Sequence, residues 1–182
     1  HIMGVTQGAG LSLSWFRDNF CTDEIATSKL TDIYVYKLLD AEAATIKPCS
    51  DGLIYLPYLM GERTPHLDPN ARGVFFGLSA IHTKPHFVRS IMEGVTYSLR
   101  DCLEIIKGMG VTVSEVRASG GGGKSDIWRQ MQADIFGTNI NRIKSDEGGA
   151  LGVAILAGVG AGIYKSVPEA CEAIIQVKDT LA

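Results

Sequence analysis

The sequence has little cysteine and no excess of positive charge. Its four cysteines lie far apart among 182 residues, with no C-x-x-C pair and no histidine partner nearby. Buried thiols are therefore expected, and not disulfides or a zinc site. The formal net charge of −3 leaves no basic surface for nucleic acid or an anionic membrane. Neither partner is expected.

Long apolar runs and targeting patterns are also missing. The most apolar stretch, residues 149–162, is shorter than the roughly 20 residues of a membrane-spanning helix and contains several glycines. No signal-peptide pattern is visible at the start of the chain. The composition, 46% hydrophobic and 20% charged, is typical of a folded protein. These features predict a reduced, cytoplasmic protein.

Short apolar or β-branched segments alternate with amphipathic ones, which predicts an α/β fold. Residues 57–72 form a long non-periodic loop, and loops of this length in compact domains are usually functional or mobile. The length suits a single domain, residues 1–182. The predicted strands are 1–6, 53–56, 73–78, one ending at Ser119 and 139–143. The predicted helices are 11–20, 30–44, 85–108, 126–137, 150–159 and one beginning near 167.

The most informative motif is the glycine run from Ser119 to Ser125, between a β-branched strand and an amphipathic helix. Such a turn lets backbone N–H groups approach a ligand and aims a helix N-terminus at an anion. One interpretation is a relaxed P-loop, with Ala118 in place of its first glycine, Lys124 on the phosphates and Ser125 on magnesium. Another is a turn that carries the adenosine and α-phosphate of ATP, with Ser125 and Asp126 near the base and ribose. A third is close packing of helix on strand. The local pattern leaves all three open.

A wider pattern resembles a known family. Gly73-Val-Phe-Phe-Gly-Leu78, followed after seven residues by His86-Phe-Val-Arg-Ser-Ile-Met-Glu93, resembles the second signature of the FGGY carbohydrate kinases. The loop at 57–73, which also resembles gluconate kinases, is similar to the D-xylulose-phosphorylating branch. Segments 13–20, 119–130 and 147–152 agree with that branch. The resemblance favours the ATP turn over a P-loop, because no apolar strand ending in a magnesium-binding aspartate follows Lys124.

The resemblance implies a ribonuclease-H-like α/β fold of the actin/hexokinase type, with a mixed, mostly five-stranded sheet flanked by helices. It identifies the chain as the C-terminal nucleotide-binding domain of a kinase. ATP and Mg²⁺ are the implied cofactors, with magnesium held mainly by the N-terminal half. The implied nucleotide-binding residues are Gly10, Ser14, Gly120, Gly121, Gly122, Ser125 and Asp126. Of these, Gly10, Gly120 to Gly122 and Ser125 are expected to line one concave surface, although Gly10 lies far from the others in sequence.

The family's general base and its two upstream phosphate turns belong to the N-terminal half and have no counterpart here. No catalytic residue or metal ligand is therefore assigned, and the chain alone is expected to be inactive. The intact enzyme is expected to convert D-xylulose to D-xylulose 5-phosphate, with ATP, the sugar and its own N-terminal domain as partners, in a homodimer. The alternatives are a gluconate, ribulose or glycerol kinase of the same family, or a non-catalytic nucleotide-binding module.

Several other residues invite a functional interpretation but have simpler expected roles. His66, Asp68 and His86 lack the spacing of metal ligands. The remaining expectations are an ion pair or interdomain contact at Glu62–Arg63, a hydrogen-bonded anchor at Glu93, and core packing at Trp15 and Trp128.

Overall fold

The computed structural model describes residues 2–144 and 148–182. The chain divides into two compact units. The first unit comprises His1–Val113 with Asp134–Phe136, and the second comprises Ser114–Ala133 with Gly137–Ala182.

The first unit is mainly helical, with one short antiparallel pair of strands. Tyr55 lies opposite Phe75 in that pair. The centroids of the two aromatic rings are 4.7 Å apart. The elements in chain order are α1 (Ala9–Phe20), α2 (Thr22–Thr31), α3 (Val35–Ala44), β1 (Ile54–Leu56), β2 (Val74–Phe76) and α4 (Lys84–Gly108).

The long helix α4 is the centre of the first unit, because its apolar stripe is buried along several turns. Thr83 and His86 form a capping box at its start, and Pro85 lies in its first turn, where a missing N–H costs nothing. Gly94 lets the helix approach β1, since a Cβ there would overlap the carbonyl oxygen of Tyr55. The core around α4 consists of apolar side chains, including Leu13, Phe16, Leu39, Leu53, Val88, Ile91, Met92 and Val95.

The second unit contains a three-stranded mixed sheet and its helices. The strand order is β3-β4-β5, with β3 parallel to β4 and β4 antiparallel to β5. Trp128, Met131 and Ile140 are among its buried side chains. The elements are β3 (Val116–Ala118), α5 (Gly120–Lys124), α6 (Asp126–Phe136), β4 (Ile140–Ile143), α7 (Gly148–Gly160), α8 (Val167–Ile174) and β5 (Val177–Leu181). The last three residues of α6, Asp134–Phe136, are counted with the first unit.

The sheets differ from the sequence prediction. Five strands are found in the described residues, but they form one sheet of two and one of three instead of a single five-stranded sheet. The predicted strand at 1–6 is wrong for residues 2–6, which form no strand, while His1 lies outside the described residues. β-Propensity shows that a segment can be extended, but a strand also needs a partner. β5 was not predicted.

One predicted helix is also wrong. The segment 30–44 contains the end of α2 and all of α3, separated where Asp32 adopts a left-handed backbone with φ of 58°. Aspartate tolerates this conformation better than most residues, so it ends α2. The other predicted helices and the two strands that became β1 and β2 are confirmed within a few residues.

Candidate functional site

The glycine run follows β3 and is itself a short helix, where the sequence predicted a turn between strand and helix. Ser119 is extended, Gly120 to Lys124 form the single turn α5, and Ser125 starts α6. The Ser125 hydroxyl accepts a hydrogen bond from the backbone N–H of Trp128 at 3.1 Å. Ser125 is therefore the N-cap of α6, a role for which serine is well suited.

Two of the four glycines are explained by the backbone. Gly120 has φ of +70°, a conformation that favours glycine. A Cβ at Gly123 would lie 2.8 Å from the carbonyl carbon of Ala118, so close packing on β3 requires glycine there. Packing of helix on strand thus accounts for part of the run.

The other two glycines have no such requirement. A Cβ at Gly121 would meet no atom of the described residues within 4 Å, and the residue is exposed. A Cβ at Gly122 would make only ordinary contacts, 3.5 Å from the Trp128 ring and from Gln132 Nε2. The missing side chains leave open space above the turn, where a ligand can approach the backbone.

The N-terminus of α7 lies beside this turn. A Cβ at Gly148, the first residue of α7, would be 3.9 Å from the Ser119 hydroxyl oxygen. α7 has thirteen residues with no acidic residue in its first turn, and its N-terminus carries the positive end of the helix dipole. The preceding Glu147, part of the predicted 147–152 segment, lies outside the described residues.

A buried arginine positions Asp126, the first residue of α6. Arg129 is 2% exposed and donates to Asp126 Oδ1 at 2.7 Å and to Asp179 of β5. Burial lowers the pKa of Arg129, but the hydrogen bonds to both carboxylates raise it on balance. The guanidinium stays charged and ties the helix after the glycine run to the last strand.

The P-loop interpretation fits this geometry poorly. Lys124 is exposed at the end of α5, and the Ser125 hydroxyl caps α6. A P-loop needs an open glycine loop around the phosphates, with the lysine and serine directed at phosphate and magnesium. Here the glycines are helical and Ser125 is buried.

Gly10 and Ser14, the predicted residues of the first unit, both lie on α1. Gly10 is exposed in the first turn, and a Cβ there would meet no described atom within 4 Å. The Ser14 hydroxyl donates to the carbonyl of Leu11 at 3.0 Å. No described side chain caps α1, and its first turn has no acidic residue. That these two residues share a surface with the glycine run stays a prediction.

Comparison with known proteins identifies the family. Residues 1–161 match the C-terminal domain of the FGGY family of carbohydrate kinases. The chain belongs to this family.

Its relatives include two kinds of sugar kinase. The chain is 42% identical over 176 residues to a xylulose kinase of Bacillus subtilis, covering 97% of this chain and 33% of the relative. It is 41% identical over 156 residues to a gluconokinase of Bacillus licheniformis, covering 85% of this chain and 30% of the relative. A crystal structure of ligand-bound xylulose kinase from Lactobacillus acidophilus matches with a TM-score of 0.79 at 32% identity, covering 96% of this chain and 34% of that one.

These comparisons confirm the predicted fold class, an α/β fold of the actin/hexokinase type. The chain spans about a third of the length of the curated relatives that it matches.

Within the FGGY signature, the predicted anchoring role of Glu93 is confirmed. Its carboxylate accepts hydrogen bonds from the backbone N–H of Cys49 and the hydroxyl of Ser50, both at 3.0 Å. Arg89 donates to the same carboxylate at 2.7 Å. Glu93 thereby holds Cys49 and Ser50, the first two of three successive residues with left-handed φ of 71°, 48° and 50°, the third being Asp51.

The other expectations have mixed outcomes. Trp128 is buried as predicted, whereas Trp15 is only half-buried and meets the Phe20 ring edge-on. The Glu62 carboxylate accepts a hydrogen bond from the backbone N–H of Arg63 at 2.7 Å. This bond takes the place of the ion pair that was expected between the two side chains. His86 accepts a bond from the N–H of Thr83.

In the described part of the chain, no group of three histidine, cysteine or carboxylate side chains is placed to hold a metal ion. All four cysteines are free. Among the same residues, no helix is both long and apolar enough to cross a membrane.

Two contacts of the site, both made by Arg129, and the contacts of Glu62 outside it were missed from sequence. The Asp126–Arg129 spacing is that of an i,i+3 ion pair and gave a usable signal. The bond from Arg129 to Asp179 and the contacts of Glu62 with Thr6 and Gln7 join residues at least fifty positions apart, so no local pattern shows them.

Proposed function

We propose that this chain is the nucleotide-binding C-terminal domain of a kinase that transfers the γ-phosphoryl group of ATP to the C5 hydroxyl of D-xylulose. The observation that carries the proposal is the open space at Gly121, a glycine that neither backbone conformation nor packing requires. The similarity to xylulose kinases supports the sugar assignment. In this proposal the rest of the intact protein, including its N-terminal domain, supplies the general base.

The residues of this chain would bind and orient the nucleotide. The backbone N–H groups of Gly120 to Gly122 would donate to the phosphates, and the N-terminus of α7 would add positive potential beside them. Asp126, held by Arg129, would lie toward the ribose, and Ser125 toward the base. Gly10 and Ser14 are proposed as further residues that border the nucleotide.

Magnesium neutralises phosphate charge in phosphoryl transfer. The described residues of this chain do not fit a dedicated metal site, since they offer no cluster of metal-ligating side chains. We assign magnesium to the other half of the intact enzyme.

Nucleotide titration of the chain tests the binding role. ATP and ADP should bind weakly, and Gly121→Asp should abolish binding because its carboxylate enters the space of the phosphates. Gly108→Asp places the same charge in open space at the end of α4 and should leave the affinity unchanged. Lys124→Ala should reduce the affinity only modestly. If Lys124→Ala abolished binding while Gly121→Asp retained it, the site would be a P-loop.

Gluconate is the second candidate substrate, favoured by the 41% identity to a gluconokinase. In the full-length enzyme, kcat/KM for D-xylulose should exceed that for gluconate when ADP release is measured with each sugar. A higher value for gluconate would move the chain to the gluconokinase branch. The chain alone should release no ADP with either sugar, because it lacks the proposed base.

A further inference from the structure

A buried carboxylate outside the proposed site collects three hydrogen bonds. Glu62, in the loop at 57–72, is 3% exposed. Its Oε2 accepts from the Thr6 hydroxyl at 2.7 Å, and its Oε1 accepts from the backbone N–H of Gln7 at 2.9 Å and of Arg63 at 2.7 Å. Burying a carboxylate is costly, and three donors are what make it tolerable.

These bonds fasten the segment before α1 to two other elements. Thr6 also accepts a hydrogen bond from the Ser98 hydroxyl of α4 at 2.9 Å. The backbone N–H of Thr64 donates to the carbonyl of Val5 at 3.1 Å. Residues 5 and 6 belong to no strand and Gln7 lies in a turn, so hydrogen bonds to side chains and to the loop hold this segment in place of a sheet partner.

The same segment leads directly into the first turn of α1. The carbonyl of Gly8 accepts from the Ser12 N–H at 3.0 Å, and the Tyr55 hydroxyl donates to the Ser12 hydroxyl at 3.1 Å. A Cβ at Gly8 would overlap the carbonyl oxygen of Pro57, where the loop begins. The start of α1 is thus held by Pro57 on one side, and the residues before it are held by Glu62.

We propose that Glu62 is a positioning residue, which fixes the backbone of residues 6–10 and so the N–H groups that Gly10 and its neighbours present to the nucleotide. This inference rests on the proposed nucleotide-binding function. Glu62 touches no nucleotide itself and acts through the start of α1. The loop that carries it therefore contributes to nucleotide affinity from outside the site.

The hydrogen-bond pattern predicts different effects for two substitutions. In Glu62→Gln the amide oxygen accepts from both backbone N–H groups, and the amide NH₂ donates to Thr6. Thr6 can then turn its hydroxyl to donate to Ser98, since hydroxyls both donate and accept. Glu62→Ala instead leaves both N–H groups and the Thr6 hydroxyl without this acceptor.

The experiment compares the chain with its Glu62→Gln and Glu62→Ala variants by ATP titration and amide hydrogen exchange. Glu62→Ala should weaken ATP binding about tenfold, because binding must then order roughly one backbone residue that Glu62 otherwise fixes. The same variant should exchange the amide hydrogens of residues 7–10 faster than the parent chain does. Glu62→Gln should retain both properties. Thr6→Val removes one hydrogen-bond donor to Glu62 and keeps the shape of the side chain, so it should weaken ATP binding less than Glu62→Ala does. It replaces Glu62→Ala in the test if that variant does not fold.

Glu24→Ala, at another buried glutamate of the first unit, is the matched control and should leave exchange at 7–10 unchanged. The inference is overturned if Glu62→Ala or Thr6→Val binds ATP as the parent chain does, if exchange rises uniformly, or if Glu62→Gln loses as much affinity as Glu62→Ala. If the unsubstituted chain does not bind ATP, the proposed function fails together with this inference. If the unsubstituted chain binds ATP and the variants behave as just described, only the role of Glu62 fails.

Discussion

Arg89 Nε lies 2.7 Å from Glu93 Oε1, one turn apart on α4, with both side chains buried. Arg89 also donates to the carbonyls of Ala43 and Ile46, just where α3 ends. The pair therefore joins α4 to the end of α3 and, through Glu93, to the left-handed residues that precede β1.

Removing one member of this buried pair should destabilise the first unit strongly. Glu93→Ala leaves the Arg89 guanidinium buried without its carboxylate, so the free energy of unfolding should fall by roughly 3–5 kcal/mol. Urea unfolding followed by circular dichroism measures the change. Glu104→Gln, at an exposed glutamate of α4, should leave the midpoint unchanged. Equal midpoints for Glu93→Ala and the parent chain would contradict this account.

A second buried pair should make stability depend on pH. Burial, and then the adjacent carboxyl of Glu24, raise the pKa of Glu42 to about 7. The Oε2 atoms of both groups are buried and accept no hydrogen bond from a described residue. Lys84 pairs with Glu24 and lowers the pKa of Glu42 slightly, and the buried thiol of Cys21 lies close by. A proton on Glu42 removes the repulsion between the carboxyls.

The sign follows from the raised pKa. The folded chain holds a proton on Glu42 that the unfolded chain releases between pH 4.5 and about 7, so stability falls as pH rises through this window. Glu42→Gln should reduce that fall and stabilise the chain at about pH 8 relative to the parent, because no carboxylate forms there. Thermal unfolding across the window provides the measurement. A parent chain and variant with parallel pH profiles would refute the pairing.

Close packing of α4 on β1 should make Gly94 sensitive to a single methyl group. In Gly94→Ala the new Cβ overlaps the Tyr55 carbonyl, and overpacking of this kind costs about 1–3 kcal/mol. Gly108→Ala lies at the end of the same helix, where a Cβ meets no described atom within 4 Å. It should instead raise the free energy of unfolding by about 0.4–1 kcal/mol, because alanine lowers the conformational entropy of the unfolded chain. Chemical unfolding of the two variants should therefore shift the midpoint in opposite directions. Shifts of the same sign would rule out the packing argument.

The four thiols should differ in reactivity. Burial raises the pKa of Cys21 to about 11 and also raises the pKa of Cys102, so neither forms much thiolate at neutral pH. Cys49 is exposed and Cys171 is half-buried. Iodoacetamide labelling with peptide mass analysis should modify Cys49 first and Cys21 only after denaturation. Early labelling of Cys21 would show that its surroundings open in solution.

Sequence periodicity predicted the elements whose packing is local. α4 and α6 carry continuous apolar stripes, and their bounds were close to those observed. α2 was missed because only Glu24 is buried along its ten residues, so there is no stripe to detect. β5 was missed because Val177–Leu181 mixes lysine and aspartate into an edge strand.

The sequence predicted which residues belong to the candidate site better than it predicted the contacts they make. The glycine run indicated backbone exposed to a ligand, and Gly121 retains that interpretation. That Ser125 serves as a helix cap, and that Arg129 fixes Asp126, depends on partners such as Asp179, fifty residues away. Such contacts are set by tertiary packing, which periodicity does not encode.

The bond between Arg129 and Asp179 limits where this protein can be truncated at its C-terminal end. The match to the family ends at residue 161, whereas β5, which carries Asp179, spans Val177–Leu181. A domain boundary drawn at the end of the family match would expose the open edge of β4 and leave a buried guanidinium with one acidic partner fewer. The last strand belongs to the scaffold of the glycine run, so expression boundaries and affinity tags should be placed beyond it.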